Sequence, residues 1–534
     1  MRKQTKLVAV LSAAALLAIG ASMTSFAATP HWDQEDGEWV YLDRNGDKVT
    51  GEWKKSNGQW YYLDEDGYMA KDALIEYNDN RYYVDSNGIK VTNAWVSMDN
   101  DDLLDDDEIT TVWFYFDGKG KATGYGKDDG SIKSISYGDG QKGYFIFNTD
   151  GVMLTGWQEW KDNLYFLGEE NEGWAKTGWN YLDTDDEYFD DGDDDGEPYE
   201  DEEWFWFGTD GKAKRNGSKQ ISGKWYAFDR KGVMMDLWVY GDGKDVASVS
   251  NASGSSTTYA TDPDAAARYH QEDNGGREKN WVWAYANTNY DDYDDDMYWF
   301  YLDSKGRPTV ADPDNSAETV FDADGVITTY GKNWGRDLTD SNKGYNLIAK
   351  SIKNKTYIFD DAGRMRSGLF DLYAVDRGST VGALDGYYYF TDDSSHGSTD
   401  GQMVTNKKMT IEVDGEDKGY YFDKTGRAYT NTIISSSFYG PDGALVDGYG
   451  DGSTYATVVI TSLVDNGYKI YEKGKKDAID LTPITVEGLN KDNKYTIILL
   501  NGNGKIKKNG TVTDVDGYKV TVKDYKVTKI EDKN

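Results

Sequence analysis

The stretch GEWKKSNGQWYYLDEDGYMA, residues 51–70, carries an order of residue types that recurs along most of the chain. It holds a tryptophan, a short polar run, an aromatic triplet, an acidic turn ending in glycine, and a methionine. Recurrence at a period of about twenty residues is typical of repeat architectures, in which one small unit is used many times. The fold therefore depends on this unit and on how it contacts its neighbours.

Each unit is predicted to form one β-hairpin and a link. Asn57-Gly58 is a two-residue hairpin turn, and Trp60-Tyr61-Tyr62-Leu63 is a β-favouring strand. The run Asp64–Gly67 is a turn, because Asp bonds to nearby backbone and Gly accepts positive φ. Side chains alternate, so Trp60 and Tyr62 share one strand face and Tyr61 takes the other. A lone hairpin is only marginally stable, which predicts an all-β solenoid of stacked hairpins of about 20 residues each.

The repeats divide the chain into predicted regions. Residues 28–240 form the main repeat region, 241–280 a low-complexity linker or long loop, and 281–455 divergent repeats. From residue 456 onwards β-branched strands such as Thr457–Ile460 indicate a small β-rich cap or module. Asp-rich insertions at 97–111, 183–203 and 285–297 are predicted to be projecting loops.

Composition excludes several classes of protein. The 534 residues include no Cys, which argues against a disulfide scaffold and thiol chemistry. A net charge of −37 opposes nucleic-acid binding, because phosphates are repelled. With 18 Trp and 42 Tyr, aromatic rings are expected to provide much of the buried surface.

The N-terminus has the features of a secretory signal. Arg2, Lys3 and Lys6 precede an apolar run, Leu7–Ile19, that is shorter than a membrane span. Ser25-Phe26-Ala27 fits a cleavage site, so residues 1–27 are predicted to be removed. The mature chain is expected to be exported, without a membrane span.

The unit at 51–70 resembles the cell-wall-binding repeats, also called choline-binding repeats, and is similar to the glucan- and toxin-type Tyr-Tyr-Phe repeats. The shared features are a Gly-Trp opening, here split by Glu52, a Trp-Tyr-Tyr strand and a Gly-x-Met close. The resemblance implies choline sites between units, with two rings from one unit, one from the next, and a methionine nearby. Carried over to this chain, the predicted cage residues are Trp32, Trp39 and Tyr62, then Trp53, Trp60 and Tyr83, with Met69 nearby.

Later junctions depart from this pattern. At the position of the third cage ring, the unit after Trp95 and Trp113 has Ile146. The unit after Trp179 and Trp204 has Ala227 there. In the sixth unit, Leu164 stands where a cage needs Trp. The resemblance therefore predicts complete cages only at the first two junctions. Two other interpretations remain open: the rings are simply the core of the stack, or they are platforms for sugars.

Metal binding and catalysis have little support in the sequence. Asp191, Asp193, Asp195, Gly196 and Glu202 have the spacing of a calcium loop, but a solvated acidic loop has the same composition. His31, His270 and His396 are the only histidines, and no Gly-x-Ser-x-Gly turn occurs. No cofactor, metal or enzymatic activity is predicted.

The sequence thus predicts a secreted, non-enzymatic protein of a Gram-positive cell surface. Its partner would be teichoic-acid choline or wall glycan. The alternatives are a glucan-binding adhesin and a structural spacer without a ligand.

Choline should raise the melting temperature of the mature protein, because a ligand that binds only the folded state stabilises it as its concentration exceeds Kd. The measurement is a thermal melt with and without choline. A melting temperature that does not change up to tens of millimolar choline contradicts the choline interpretation.

Overall fold

The structure is a computed structural model. It describes residues 29–100, 110–169, 171–190, 192, 198–240, 247–248, 267–285, 297–312, 320–321, 327–329, 331–340, 343–377, 382–392, 400–446, 452–465 and 467–532. The predicted signal segment lies outside these residues, as do Asp191, Asp193, Asp195 and Gly196 of the acidic loop. The predicted all-β fold of stacked hairpins is confirmed. Within the described ranges, helix is confined to a 3₁₀ turn, Glu187–Phe189, and α1, Thr461–Asp465, and no helix is long and apolar enough to cross a membrane.

The described residues form two compact units that divide after Met235. The strands of the first unit are β1 His31–Glu35, β2 Glu38–Leu42, β3 Glu52–Ser56, β4 Gln59–Leu63, β5 Ala73–Glu76, β6 Arg81–Val84, β7 Ala94–Asp99, β8 Thr111–Phe116, β9 Ser131–Tyr137, β10 Gln141–Phe147, β11 Trp157–Trp160, β12 Asn163–Phe166, β13 Gly178–Asp183, β14 Glu202–Phe207, β15 Gly217–Ile221, β16 Lys224–Phe228 and β17 Met234–Met235. Consecutive strands pair as antiparallel hairpins from β1–β2 to β15–β16, and β17 adds to β16.

The second unit mixes hairpins with larger sheets, including β26-β25-β30-β31 and β39-β40-β41. Its strands are β18 Leu237–Tyr240, β19 Ala247–Ser248, β20 Arg268–His270, β21 Asn280–Tyr285, β22 Met297–Leu302, β23 Val320–Phe321, β24 Ile327–Thr329, β25 Trp334–Asp337, β26 Gly344–Asn346, β27 Ile348–Ile352, β28 Lys355–Phe359, β29 Met365–Arg366, β30 Gly368–Val375, β31 Leu384–Phe390, β32 Lys408–Val413, β33 Glu416–Tyr421, β34 Thr432–Ile434, β35 Ser437–Tyr439, β36 Tyr455–Val459, β37 Tyr471–Glu472, β38 Ile497–Asn501, β39 Gly510–Thr513, β40 Lys519–Lys523 and β41 Lys526–Glu531.

The hairpin β3–β4 forms as its sequence predicts. Asn57 and Gly58 both have positive φ, 49° and 86°, as a two-residue turn that follows the strand twist requires. The register sets Trp53 opposite Tyr62 and Lys55 opposite Trp60. We call the position that Trp53 occupies in the first strand of this hairpin the opening position.

The acidic turn after β4 is closed by its first side chain. Asp64 Oδ1 accepts hydrogen bonds from the backbone N–H groups of Asp66 and Tyr68, at 3.0 and 2.8 Å. Gly67, at φ 81°, donates to the Asp64 carbonyl at 3.0 Å. The same side-chain turn recurs at Asp43, Asp85, Asp117, Asn148, Asp303 and Asp423.

The residue two places after the turn glycine, called the closing position, joins each hairpin to the one before it. Met69 N–H donates to the carbonyl of Trp39 at 2.7 Å, so the second link contacts the first hairpin. The same bond runs from Lys90 to Trp60, Ala122 to Arg81, Met153 to Trp113, Ala175 to Tyr144 and Ala213 to Leu164, each at 2.8 Å. The stack is therefore held by backbone hydrogen bonds as well as by rings.

The aromatic strand β4 packs on both of its faces. Tyr61 lies in a cluster with Trp32 of the preceding hairpin. Tyr62 lies in another cluster with Trp53 of its own hairpin and Tyr82 of the next. This confirms the predicted alternation. It also means that a two-stranded hairpin buries its side chains against the hairpins on either side of it.

The C-terminal region has an aliphatic core instead. Strands β36 and β38 pair antiparallel, close to the β-branched runs that predicted them. Ile460, Ile470, Ile498 and Leu500 are buried in one cluster with few rings. The packing of these C-terminal strands therefore depends on aliphatic side chains.

Gly88→Ala should destabilise the protein more than Gly58→Ala. Both glycines have positive φ, 77° and 86°, so each substitution costs about 1 kcal/mol in backbone strain. A Cβ at Gly88 would lie 2.8 Å from Met69 Sδ and 3.0 Å from the Ala70 carbonyl, whereas Gly58 is open. Overpacking adds about 1–3 kcal/mol to the first variant alone. Equal urea-unfolding midpoints for the two variants would refute the close stacking at Gly88.

Candidate functional site

The first junction brings Trp39, Tyr61 and Met69 together around Trp32. The Trp32 ring lies 5.2 Å from Tyr41 and 5.3 Å from Tyr61 of the next hairpin, at 77° and 72°. Trp39 packs against this cluster, and Met69 is buried within it. The cage residues here are Trp32, Trp39, Tyr61 and Met69.

The third ring at this junction is Tyr61, one residue before the predicted Tyr62. Tyr62 lies on the opposite face of β4, with its ring 5.2 Å from Trp53 and 6.1 Å from Tyr77. Side chains alternate along a strand, so adjacent residues lie on opposite faces. Tyr61 therefore faces Trp32 of the preceding hairpin, while Tyr62 faces the following hairpin.

The second junction shows the same shift of one residue. Tyr82 lies 5.4 Å from Trp53 at 65°, so it supplies the ring from the next hairpin. The predicted Tyr83 is instead stacked on Phe116 at 6.1 Å. Trp60, also predicted, is 39% exposed at the edge of this cage.

The shift corrects the expectation that later junctions lack a third ring. Phe145 lies 4.8 Å from Trp95, and Tyr226 lies 4.8 Å from Trp179. Ile146 and Ala227, which the sequence reading placed at these sites, are buried on the other strand face. The alternation of Tyr61 and Tyr62 was the signal that should have identified Phe145 and Tyr226.

The cage at Trp179 has an exposed tryptophan. Trp179 and Trp204 lie 6.3 Å apart at 84°, and Trp179 and Tyr226 meet at 66°. Trp204 is 41% exposed, so part of this cage is accessible to solvent. Met234, the closing residue, pairs with Phe228 of β16 and is half-buried.

The second unit contains a cage of nearly the same geometry. Trp281 and Trp299 lie 6.2 Å apart at 86°, and Trp281 and Tyr357 lie 4.8 Å apart at 64°. Met365 occupies the closing position, paired with Phe359. The sequence reading missed Tyr357 because its repeat was recognised only as a divergent one.

The junction at Trp157 differs from the others in its second side chain. Trp157 meets Phe205 of the next hairpin at 4.7 Å, but Leu164 stands in place of the second tryptophan and is fully buried. The closing residue is Ala213. Trp157 also donates a hydrogen bond from its indole Nε1–H to the Asp183 carbonyl at 3.0 Å.

The chemistry of the complete cages is that of neutral ring faces. Burial raises the pKa of Tyr61 and of Tyr82, with smaller contributions from Asp85 and Asp117, so both phenols are uncharged at neutral pH. Aromatic faces attract cations electrostatically without needing a hydrogen-bond donor. Among the described residues, no group of three or more His, Asp or Glu side chains is arranged to hold a metal ion.

Comparison with known proteins confirms the predicted resemblance for one part of the chain. A sequence profile of the choline-binding repeat matches residues 49–95. No curated protein sequence gives a match.

Solved structures give weaker likenesses. CbpF in complex with ipratropium is 16% identical, over 76% of this chain and 100% of that one, with a TM-score of 0.30. The autolysin LytC from Streptococcus pneumoniae, with a synthetic peptidoglycan ligand, is 17% identical over 64% of this chain and 52% of its own, with a TM-score of 0.30. The choline-binding domain of CbpL from Streptococcus pneumoniae is 22% identical over 39% and 99%, with a TM-score of 0.24. Because these TM-scores are low, the similarity to choline-binding repeats is based on the match over residues 49–95.

Proposed function

We propose that this protein, whose residues 49–95 match the choline-binding repeat, binds choline-bearing polymer of a bacterial envelope through aromatic cages between its hairpins. The observation that carries the proposal is the cage of Trp179, Trp204 and Tyr226. Its two tryptophan rings stand at 84° and its third ring comes from the next hairpin, with Trp204 open to solvent.

This geometry suits a quaternary ammonium group. Such a cation has no N–H to donate, so ring faces recognise it better than hydrogen-bond acceptors do. Each ring contributes about 0.5–2 kcal/mol, depending on how far the cation is desolvated. Three rings together correspond to a free energy near −4 kcal/mol, or a Kd of about 1 mM.

Weak individual sites suit a polymeric ligand. A chain that carries cages in both units engages several cholines of one polymer, and the later contacts form at high effective concentration. The cages that end in methionine and so support this proposal are Trp32, Trp39, Tyr61 and Met69; Trp95, Trp113, Phe145 and Met153; Trp179, Trp204, Tyr226 and Met234; and Trp281, Trp299, Tyr357 and Met365.

The proposal includes export and attachment to the cell surface without catalysis. The predicted signal at residues 1–27 supports export. The net charge of −37 opposes approach to teichoic-acid phosphates, but salt screens that repulsion beyond about 8 Å. Cell-wall hydrolysis assays test the non-enzymatic part, and solubilisation of wall material by the purified chain would contradict it.

A glycan is the second candidate ligand, favoured by one surface feature. Tyr181 and Trp204 lie 5.1 Å apart at 41°, and both are exposed, at 49% and 41%. Two exposed rings at such a modest angle form a platform on which sugar rings can stack. Retention on dextran or wall glycan, but not on a quaternary-amine resin, would favour this candidate.

Trp204→Ala should weaken choline binding at its cage about tenfold, because it removes one ring worth about 1–2 kcal/mol. Its effect on unfolding should be small, since the side chain is well exposed. The measurement is a choline titration followed by tryptophan fluorescence, with retention on a quaternary-amine resin as a second readout.

Two controls sharpen this test. Tyr144→Ala removes a similarly exposed ring, 37%, from a hairpin without an opening tryptophan and should leave choline binding unchanged. The neutral isostere 3,3-dimethylbutan-1-ol should bind far more weakly than choline, because it has no charge for the rings to attract. Equal affinity for the two ligands, or no effect of Trp204→Ala, would contradict the proposal.

A further inference from the structure

The cage at the second junction contains a cation that belongs to the chain. Lys90 Nζ lies 5.2 Å from the ring centroid of Trp53, 5.5 Å from that of Trp60 and 5.4 Å from that of Tyr82. All three distances are within the approximately 6 Å at which a ring face attracts a cation. The three rings that would surround a choline ammonium therefore surround a lysine ammonium.

The sequence places Lys90 there through the closing position. Lys90 follows Gly88-Ile89 as Met69 follows Gly67-Tyr68. Its N–H donates to the Trp60 carbonyl at 2.8 Å, the counterpart of the bond from Met69 to Trp39 at 2.7 Å. Both side chains thus leave the backbone at equivalent points, and the lysine brings a charge to where the first junction has a thioether.

Further contacts hold the ammonium in place. Lys90 Nζ donates a hydrogen bond to the Lys119 carbonyl at 3.2 Å. Burial lowers the pKa of Lys90, while Asp117 acts in the opposite direction, which indicates an ammonium partly removed from water. A second ammonium, that of Lys55, lies 5.7 Å from the Trp60 ring and adds to the positive charge beside this cage.

We infer that Lys90 is the resident cation of the second cage and closes it to quaternary-ammonium ligands, so that the closing residue decides which junctions bind. A ligand ammonium would have to share the same rings with Lys90 against like-charge repulsion, or displace it. Methionine in that position offers no competing charge. This inference rests on the proposed function, because it specifies which cages that function uses.

One consequence is that the junction within the best-matching repeat is not a ligand site. The match to the choline-binding repeat spans residues 49–95, which include Trp53, Trp60, Tyr82 and Lys90. Binding is assigned instead to junctions that close with methionine. The predicted residues Trp53 and Trp60 then have a structural role in holding Lys90.

The test is a pair of opposite substitutions in the mature full-length chain. Lys90→Met should open the second cage and increase bound choline by one further equivalent per chain at saturation, measured by equilibrium dialysis with labelled choline. Met69→Lys should close the first cage and reduce it by the same amount. Lys121→Met removes an equal charge beside the closing residue Ala122, outside any cage, and should match wild type.

The outcomes separate this inference from the proposed function. Wild-type protein that binds no choline overturns the proposed function. Lys90→Met that binds no more choline than wild type or Lys121→Met overturns the inference. Trp60→Ala added to Lys90→Met should abolish the gained equivalent, and a gain that survives it also overturns the inference.

A second measurement needs no ligand. In ¹³C-lysine-labelled protein, the ε-methylene protons of Lys90 should be shifted upfield relative to those of Lys121, because they lie over ring faces. Their signal is assigned by its loss in Lys90→Met. Lys90 ε-methylene protons at the position of exposed lysines would overturn the inference.

Discussion

The contact on which the structure depends is the one between an opening tryptophan and a ring of the next hairpin. A two-stranded ribbon of about twenty residues cannot enclose a core of its own. Trp32 and Trp53 therefore use Tyr61 and Tyr82 of the following hairpin as the other half of their core, at 5.3 and 5.4 Å. Aromatic pairs of this kind add about 0.5–1.5 kcal/mol each beyond the area they bury. In the first unit, a stack of such pairs takes the place of a single large aliphatic core.

The closing position combines a constant structural role with a variable chemical one. Its backbone N–H makes the same bond to the preceding hairpin whether the residue is Met69, Lys90 or Ala122. Because that bond does not involve the side chain, the side chain can vary without loss of the stack. Under the proposed function, methionine at this position leaves a cage open to a ligand cation, whereas Lys90 places its own ammonium among the rings. Junctions can thus differ in side-chain chemistry while the fold is preserved.

Much of this was predictable from local sequence, because the determinants are local. The Asn57-Gly58 turn, the turn at Asp64 and the alternation along Tyr61-Tyr62 follow from backbone preferences of a few residues. The predicted third ring was one residue too far along the strand. Tyr62 lies on the strand face that contacts the following hairpin, whereas Tyr61 lies on the face that contacts the preceding one. Phe145 and Tyr226 were missed for that reason. The position of Lys90 over three rings could not be predicted, since it depends on the relative placement of two hairpins.

The most direct measurement is a pair of double-mutant cycles on Trp32. Urea unfolding of Trp32→Leu, Tyr61→Leu and Tyr62→Leu, singly and in the two combinations with Trp32→Leu, gives the coupling free energies. Stacking with alternating faces predicts about 0.5–1.5 kcal/mol between Trp32 and Tyr61, and none between Trp32 and Tyr62, whose ring contacts Trp53 and Tyr77. Coupling of Trp32 to Tyr62 instead of Tyr61 would contradict the account.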